Sequence, residues 1–522
     1  MQASQSGELV EGRWPRPEPV VVPEALRLEQ PAGAALDEGA GLKSKVLGGI
    51  GWTTAGQVAG QLMRIAVTVM LAHLLTPAQF GPAGLALTIS SLSLVLADPS
   101  LAAALVRMPR ITEEDRSTVF WTNLAFGVFF TGLGIGLSGL VGDFYGRPIV
   151  GRLFAVESLT FLLIGLSATQ AAVLTREMSF RSLQLREIGG TVLGGGVGVG
   201  LAFAGYGPWA IIGQSVAGAG FATLLIWVLS PWRPQLVFSR RSLRETGSFG
   251  SKLFGVKMLA WTNRNTDNLL VGKFLGTGAP LGLYAAAYNF CYTPITRITQ
   301  PAQAVVLPAF ARMQGDRRRL ADGWLRGNRL LAAVMMPLFL GTIVIAPDVV
   351  PVVLGHRWHQ AAPVVQFLCW AGLMESLQSM TGSMLTAAGK AGIVLRYSIV
   401  LTALYVSAFA VGLRWGIVGV AACYAISRTL ALPFVAGYAL RVVDISPLRL
   451  VRNLSGVVQA GAFMLAVTFA ARELLVREGV TASARLGIVI AIGAASYAAV
   501  SWWRAPEVVS ELRGLRRAEA VA

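Results

Sequence analysis

The chain has 522 residues, 54% of them hydrophobic and only 14% charged, with mean hydropathy +0.60. So much apolar surface, spread evenly, excludes a soluble globular domain. The formal net charge is +17, but its Arg residues are scattered over many separate connections, which speaks against a nucleic-acid partner. The first 41 residues are rich in Pro and Glu and lack an apolar period. They read as a disordered cytoplasmic tail, or as a misassigned start, and not as a signal peptide.

From Val46 to Trp503 fourteen apolar stretches follow, each near the roughly 20 residues that a hydrocarbon core demands. They are placed at 46–70, 83–106, 118–141, 152–174, 187–204, 209–229, 248–272, 280–308, 330–346, 362–387, 394–412, 417–440, 454–471 and 485–503. Backbone in lipid must satisfy its own hydrogen bonds, so the expected fold is an all-α polytopic bundle. Most of the 44 Lys and Arg fall on the N-terminal tail and the even-numbered connections. Basic residues stay on the cytoplasmic side, so both termini are expected there. The densest basic run, Arg312–Arg329, is expected along the anionic inner leaflet, at about 1 kcal/mol per basic residue.

Two local matches point to an internal duplication. "LLTPAQFGPAGLALT" after span one resembles "FLGTGAPLGLYAAAY" after span seven, with Gly81 matching Gly282. "GYGPWAIIG" before span six resembles "GLRWGIVGVAA" before span twelve, with Gly207 matching Gly416. A six-helix unit leaves the membrane on the side it entered, so its copy inserts in the same orientation. That is a parallel repeat with a site between two pseudo-symmetric six-helix lobes. The expected organisation is a tail (1–41), an N-lobe (42–235), a C-lobe (236–445), two extra spans (446–503) and a cytoplasmic C-terminal tail (504–522).

The segments "LLTPAQFGPAGLA", "LADPSLAAALVRMPRITEEDRSTVFWTNLAFGV", "REMSFRSLQLREIGGTVLGGGVGVGLAFAGYGPWAIIGQ" and "NTDNLLVGKFLGTGAPLGLYAAAYN" resemble the polysaccharide flippases of the multidrug/oligosaccharidyl-lipid/polysaccharide (MOP) superfamily, in particular its Wzx-type branch. The resemblance runs from about Leu42 to Leu440. It implies a V-shaped two-lobe bundle in the bacterial inner membrane. Such a bundle would flip an undecaprenyl-diphosphate-linked oligosaccharide from the inner to the outer leaflet by alternating access. Polysaccharide polymerase and other assembly proteins would be its partners, beside the lipid-linked substrate and membrane lipids.

Charges inside the spans give an independent handle. A basic residue at mid-bilayer costs about 2.5–3.5 kcal/mol on insertion scales and normally faces a cavity or a partner. Span one aligns Gln57, Gln61, Arg64 and Thr68 on one face; span seven aligns Lys257, Arg264, Asp267 and Asn268; span eight aligns Asn289, Thr293, Arg297 and Gln300. A cationic cavity suits a diphosphate, which Arg can grip bidentately, while Asn and Gln suit sugar hydroxyls. The substrate candidates are therefore Arg64, Lys257, Arg264, Arg297, Gln57, Gln61, Asn268 and Asn289. Plainer readings stand beside them. Arg264 and Asp267 can neutralise one another, Lys252 can snorkel, and Arg428 can brace span twelve.

The chain has no Gly-x4-Gly-Lys-Ser/Thr loop, so no nucleotide cofactor is expected, and a proton or sodium gradient is the default energy source. Asp267, Glu375 and Asp98 are the coupling candidates, although Asp98 before Pro99 also suits a helix break. Glu157 is expected at the outer interface. "GGTVLGGGVGVG" carries Gly190, Gly194 and Gly198 at every fourth position inside an apolar span, a packing face and not a phosphate loop. "TEED" at Thr112–Asp115 reads as a capping box. His356 with His359 is a weak metal pattern, and Cys291, Cys369 and Cys423 lie in spans with no disulfide framework indicated. The rival functions are a small-molecule exporter of the MATE type and a membrane polymerase or glycosyltransferase. An enzyme of the latter kind should hold a large outer loop, and none longer than the stretches near 347–361 and 472–484 exists here.

Overall fold

The computed structural model describes residues 56–97 (58 apart), 105, 106, 108, 111–508, 510 and 511. The side chains of 93, 94, 96, 97, 245–257, 294, 304 and 305 lie outside that description. So do the expectations for the 1–41 tail and for Asp98.

The described residues are almost entirely helical, with no strand among them. In chain order the helices are α1 (Ala59–Leu74), α2 (Pro77–Ala97), α3 (Glu113–Phe144), α4 (Pro148–Glu157), α5 (Leu159–Arg176), α6 (Phe180–Phe203), α7 (Trp209–Leu229) and α8 (Arg240–Phe274). They continue with α9 (Ala279–Pro294), α10 (Gln300–Arg312), α11 (Arg317–Leu354), α12 (Ala362–Ala387), α13 (Ala391–Gly412), α14 (Gly416–Val443), α15 (Pro447–Arg477) and α16 (Ala482–Arg504). Seven helical stretches among the described residues are long and apolar enough to cross a bilayer. Phe129, Leu140, Val228 and Trp503 are large apolar side chains left exposed on such helices. Water would penalise so much exposed apolar area, whereas lipid does not. The chain is a multi-pass membrane protein.

Most helices run past the apolar windows that betray them in sequence. α11 begins at Arg317, well before the apolar window at 330, because Asp316 caps it by accepting from the amides of Arg318 and Arg319. Its start therefore takes in most of the basic run. Arg329 pairs with Glu507 and Glu511, and Arg326 with Glu511 at 3.0 Å. These two side chains of the run are therefore held by protein carboxylates. The capping box is present: Thr112 Oγ1 accepts from the Asp115 amide and Asp115 accepts from the Thr112 amide.

Two spans are interrupted. Span four is interrupted at Ser158 between α4 and α5, where Thr131 Oγ1 of α3 donates to the Ser158 carbonyl at 2.9 Å. Gly134 makes room there, since a Cβ on it would lie 2.1 Å from Ser158 Oγ. Span eight opens into a π-turn over Ile295–Thr299, between α9 and α10. Pro301 has no amide to offer the Arg297 carbonyl, so the α-helical ladder is released at that turn.

Glycine faces set the closest packing. α6 and α7 meet along Gly190, Gly194 and Gly198, where added Cβ atoms would fall 2.9 Å from Ala222 Cβ, 2.6 Å from Gly218 Cα and 2.7 Å from Gln214 Cβ. The packing reading of this glycine run holds. Both repeat-matched pairs also share local geometry. Gly207 and Gly416 each take positive φ, 56° and 71°, at the start of α7 and α14. Gly81 and Gly282 lie against one another where α2 and α9 cross. The larger core cluster gathers on α11, α12 and α14 around Trp324, Phe339 and Trp358; a smaller one joins α1, α2, α4 and α7 through Val67, Phe154 and Ile212.

Candidate functional site

A cavity of about 410 Å³ lies among α1, α2, α6 and α7. Arg64 of α1 reaches it together with Arg186, Glu187 and Thr191 of α6 and Gln214 and Ser215 of α7. Gly190, Gly195 and Gly218 complete the wall, so the small residues that bring α6 and α7 together also leave its floor open. Arg64 is half-buried, and its Nε donates to Gln61 Oε1 at 3.5 Å, one turn back. Its charged neighbours are Arg297 and Glu187, yet neither forms an ion pair with it. Arg64 and Arg186 thus share the cavity with one carboxylate, Glu187, and Arg297 lies close enough for its charge to act on Arg64.

The candidates distribute as follows. Gln57, Arg264, Asn289 and Arg297 are exposed, and Gln61 is half-buried. Arg297 sits in the π-turn, which carries it clear of the regular helix. Lys257 lies on α8, with its side chain outside the description. Asn268 is buried, and its amide donates to Asp267 Oδ1 at 2.8 Å. Among the described residues Arg64, Arg264 and Arg297 make no ion pair.

Arg264 and Asp267 do not neutralise one another. The Arg264 guanidinium lies 5.0 Å from the Tyr292 ring centre. Asp267 is fully buried and accepts from Tyr284 Oη at 2.9 Å. Glu375, by contrast, is engaged: Arg428 Nη2 meets Glu375 Oε2 at 2.9 Å. Arg428 further donates to Tyr424 Oη and lies 4.4 Å from the Tyr405 ring centre. Arg428 thus braces α14 against α12, as its plainer reading expects. Cys291 and Cys369 are free thiols 3.2 Å apart across α9 and α12.

Sequence reading missed Arg186, Glu187, Gln214 and Ser215. The first two fall at the edge of the apolar window for span five, but α6 starts at Phe180 and carries them inside. Gln214 is four residues before Gly218 and eight before Ala222, so it stands on the small-residue face, a signal that periodicity could have supplied. Glu157 is also displaced from expectation. It is buried and accepts from Ser215 Oγ at 2.8 Å.

Residues 70–363, more than half of the chain, match the family described as polysaccharide biosynthesis protein. The chain belongs to that family. This polysaccharide biosynthesis protein is 28% identical over 374 residues to the lipopolysaccharide biosynthesis protein WzxC of Escherichia coli (strain K12), covering 71% of this chain and 76% of WzxC. It is 25% identical over 391 residues to the teichuronic acid biosynthesis protein TuaB of Bacillus subtilis (strain 168), covering 74% of this chain and 80% of TuaB. Its fold is similar to that of the lipid II flippase MurJ in an inward closed conformation, with TM-score 0.71 at 13% identity, over 88% of this chain and 99% of MurJ. An inward-facing multidrug resistance MATE transporter of the MOP superfamily follows, with TM-score 0.57 at 15% identity, over 74% of this chain and 96% of the transporter. The family match and these likenesses agree with the MOP-type polysaccharide flippase resemblance carried by the sequence motifs.

Proposed function

We propose that this chain is a flippase, not an enzyme, which moves an undecaprenyl-diphosphate-linked oligosaccharide from the inner to the outer leaflet of the bacterial inner membrane. The observation that carries the reading is the cavity at Arg64, where Arg64, Arg186 and the neighbouring Arg297 outnumber the one carboxylate, Glu187, and Arg64 forms no ion pair among the described residues. In a bilayer an excess of cations over carboxylates is expensive, and a bound anion would offset it. A diphosphate supplies that anion, and Gln57, Gln61 and Asn289 supply partners for sugar hydroxyls. Family membership and the names of WzxC, TuaB and MurJ point the same way.

The layout behind this reading is fourteen spans in two six-helix lobes plus α15 and α16, with both termini cytoplasmic. Its support is the matched glycine geometry and the position of the contacts between halves. Trp358 Nε1 donates to the Ala72 carbonyl at 2.9 Å, Lys273 donates to the Phe144 carbonyl, and Gly81 meets Gly278. All three links fall at connections assigned to the outer face. The conformation is therefore read as sealed outside, with alternating access opening the same site to either leaflet. A proton or sodium gradient is the proposed drive, and polymerase and other assembly proteins are the proposed partners. The exporter reading gains less, because its support is a fold likeness at lower similarity.

Proteoliposomes holding the full chain and a fluorescent undecaprenyl-diphosphate-linked oligosaccharide test the reading. Movement of label between leaflets that depends on the protein supports it; label that stays where it was loaded overturns it.

A further inference from the structure

Glu157 ends α4 with 4% of its surface exposed. Its Oε1 accepts from Ser215 Oγ at 2.8 Å, whereas its Oε2 is buried with no hydrogen-bond partner among the described residues. Ser215 in turn lines the cavity that holds Arg64. One hydroxyl therefore separates this buried carboxyl from the open space at the candidate site.

The surroundings offer no charge to balance it. The helices packed on α4 are α2, α3, α5 and α7. α2 and α7 contain no titratable side chain. α5 contains only Arg176, in its last turn, bonded to the carbonyls of Leu105 and Met108. α3 holds Glu113, Glu114, Asp115 and Arg116 in its first turn and Asp143 near its end. On α4 itself Arg152 is exposed. Beyond Ser215 the cavity presents Arg64, Arg186 and Glu187. Among the described residues none of the cations forms an ion pair with Glu157. A buried carboxylate without a cation or water is strongly disfavoured, so its charge must follow its hydration.

We propose that Glu157 is a proton-binding site of the transport cycle, reached from the Arg64 cavity through Ser215. With the cavity shut, the carboxylate holds a proton. When water enters, the proton passes to that water with Ser215 Oγ as the relay, accepting one proton and donating another, so that only O–H bonds are exchanged. The proposal rests on the flippase reading for its purpose, but the proton site itself can be read without substrate.

Two measurements on the full-length protein decide it. In nanodiscs without any lipid-linked substrate, a pH jump followed by infrared difference spectroscopy should show a protonated-carboxyl band that is absent in Glu157→Gln and kept in Glu157→Asp. In proteoliposomes with the undecaprenyl-diphosphate-linked probe, a gradient of one pH unit should shift the steady-state leaflet ratio about tenfold if one proton moves per cycle. Glu157→Gln should abolish that shift and Glu157→Asp should preserve it. An infrared band unaffected by Glu157→Gln, or a leaflet ratio that still responds to pH in that variant, overturns the proposal. A wild-type protein that moves no probe under any gradient overturns the flippase reading, and the infrared result then decides the proton site alone.

Discussion

Gly81 and Gly282 each occupy the space that a side chain on the other's helix would need. A Cβ on Gly81 would lie 2.2 Å from the Gly278 carbonyl oxygen, and one on Gly282 would lie 1.9 Å from the Pro77 carbonyl oxygen. The contact is reciprocal and made by backbone, which cannot retreat as a flexible side chain can. Gly81→Ala and Gly282→Ala should each destabilise this conformation by about 1–3 kcal/mol, the usual cost of overpacking. Thermal unfolding in detergent should show lower midpoints for both. The double variant should cost less than the sum, because the first separation already relieves the second. Unchanged midpoints would mean that the two helices do not cross so closely.

Arg428 and Arg64 should fail in different ways. Arg428→Ala strands Glu375, and breaking a buried pair costs about 3–5 kcal/mol. The loss should be smaller here, since Glu375 keeps 26% of its side chain exposed. Reduced stability and low abundance are therefore expected, with Glu375→Gln in the same chain recovering part of both. Arg64→Ala removes no ion pair and should leave the stability within about 0.5 kcal/mol of wild type. Equal destabilisation by both would assign Arg64 a structural role.

Asp348 gathers Arg472 of α15 and Arg485 of α16 onto α11; Arg472 Nε lies 2.6 Å from Asp348 Oδ2, and Arg485 also bonds Asp348. Its side chain is only 4% exposed, so the charge is well shielded from solvent. Asp348→Asn leaves two guanidiniums without their shared anion and should loosen the two C-terminal helices first. Hydrogen exchange should rise in 447–504 more than in α1–α7. A uniform rise would show that this clamp serves the whole bundle.

The α6–α7 glycine face gives a sharper steric test. Gly194→Leu puts a side chain where a bare Cβ already meets Gly218 Cα at 2.6 Å. Separation of the helices should abolish folding or halve abundance at least. Gly196→Leu, at a position with nothing within 4 Å, should be tolerated. Similar abundance of the two variants would contradict the packing.

How far the fold could be read from sequence depended on the length scale of the signal. α7 and α12 begin and end where the apolar windows do, because hydropathy and helix length coincide there. α11 and α15 extend well beyond theirs, since capping and ion pairs continue a helix into water without any hydropathy signal. The interruptions at Ser158 and at Ile295–Thr299 depend on a neighbouring helix and on a missing amide, features that periodicity does not carry. In the site, Arg64 was legible because a lone cation in an apolar run is conspicuous. Arg186, Gln214 and Glu157 were not, because their meaning arises only when α4, α6 and α7 are brought together.

The central claim is that the Arg64 cavity carries a lipid-linked anionic glycan across the membrane. The measurement that tests it most directly is the leaflet position of undecaprenyl-diphosphate-linked oligosaccharide in cells depleted of this protein and then supplied with wild type or Arg64→Ala. Lipid-linked units should accumulate on the inner leaflet, relieved by wild type and not by an equally abundant Arg64→Ala. Lipid-linked units that reach the outer leaflet normally without the protein, or equally well with the variant, would contradict it.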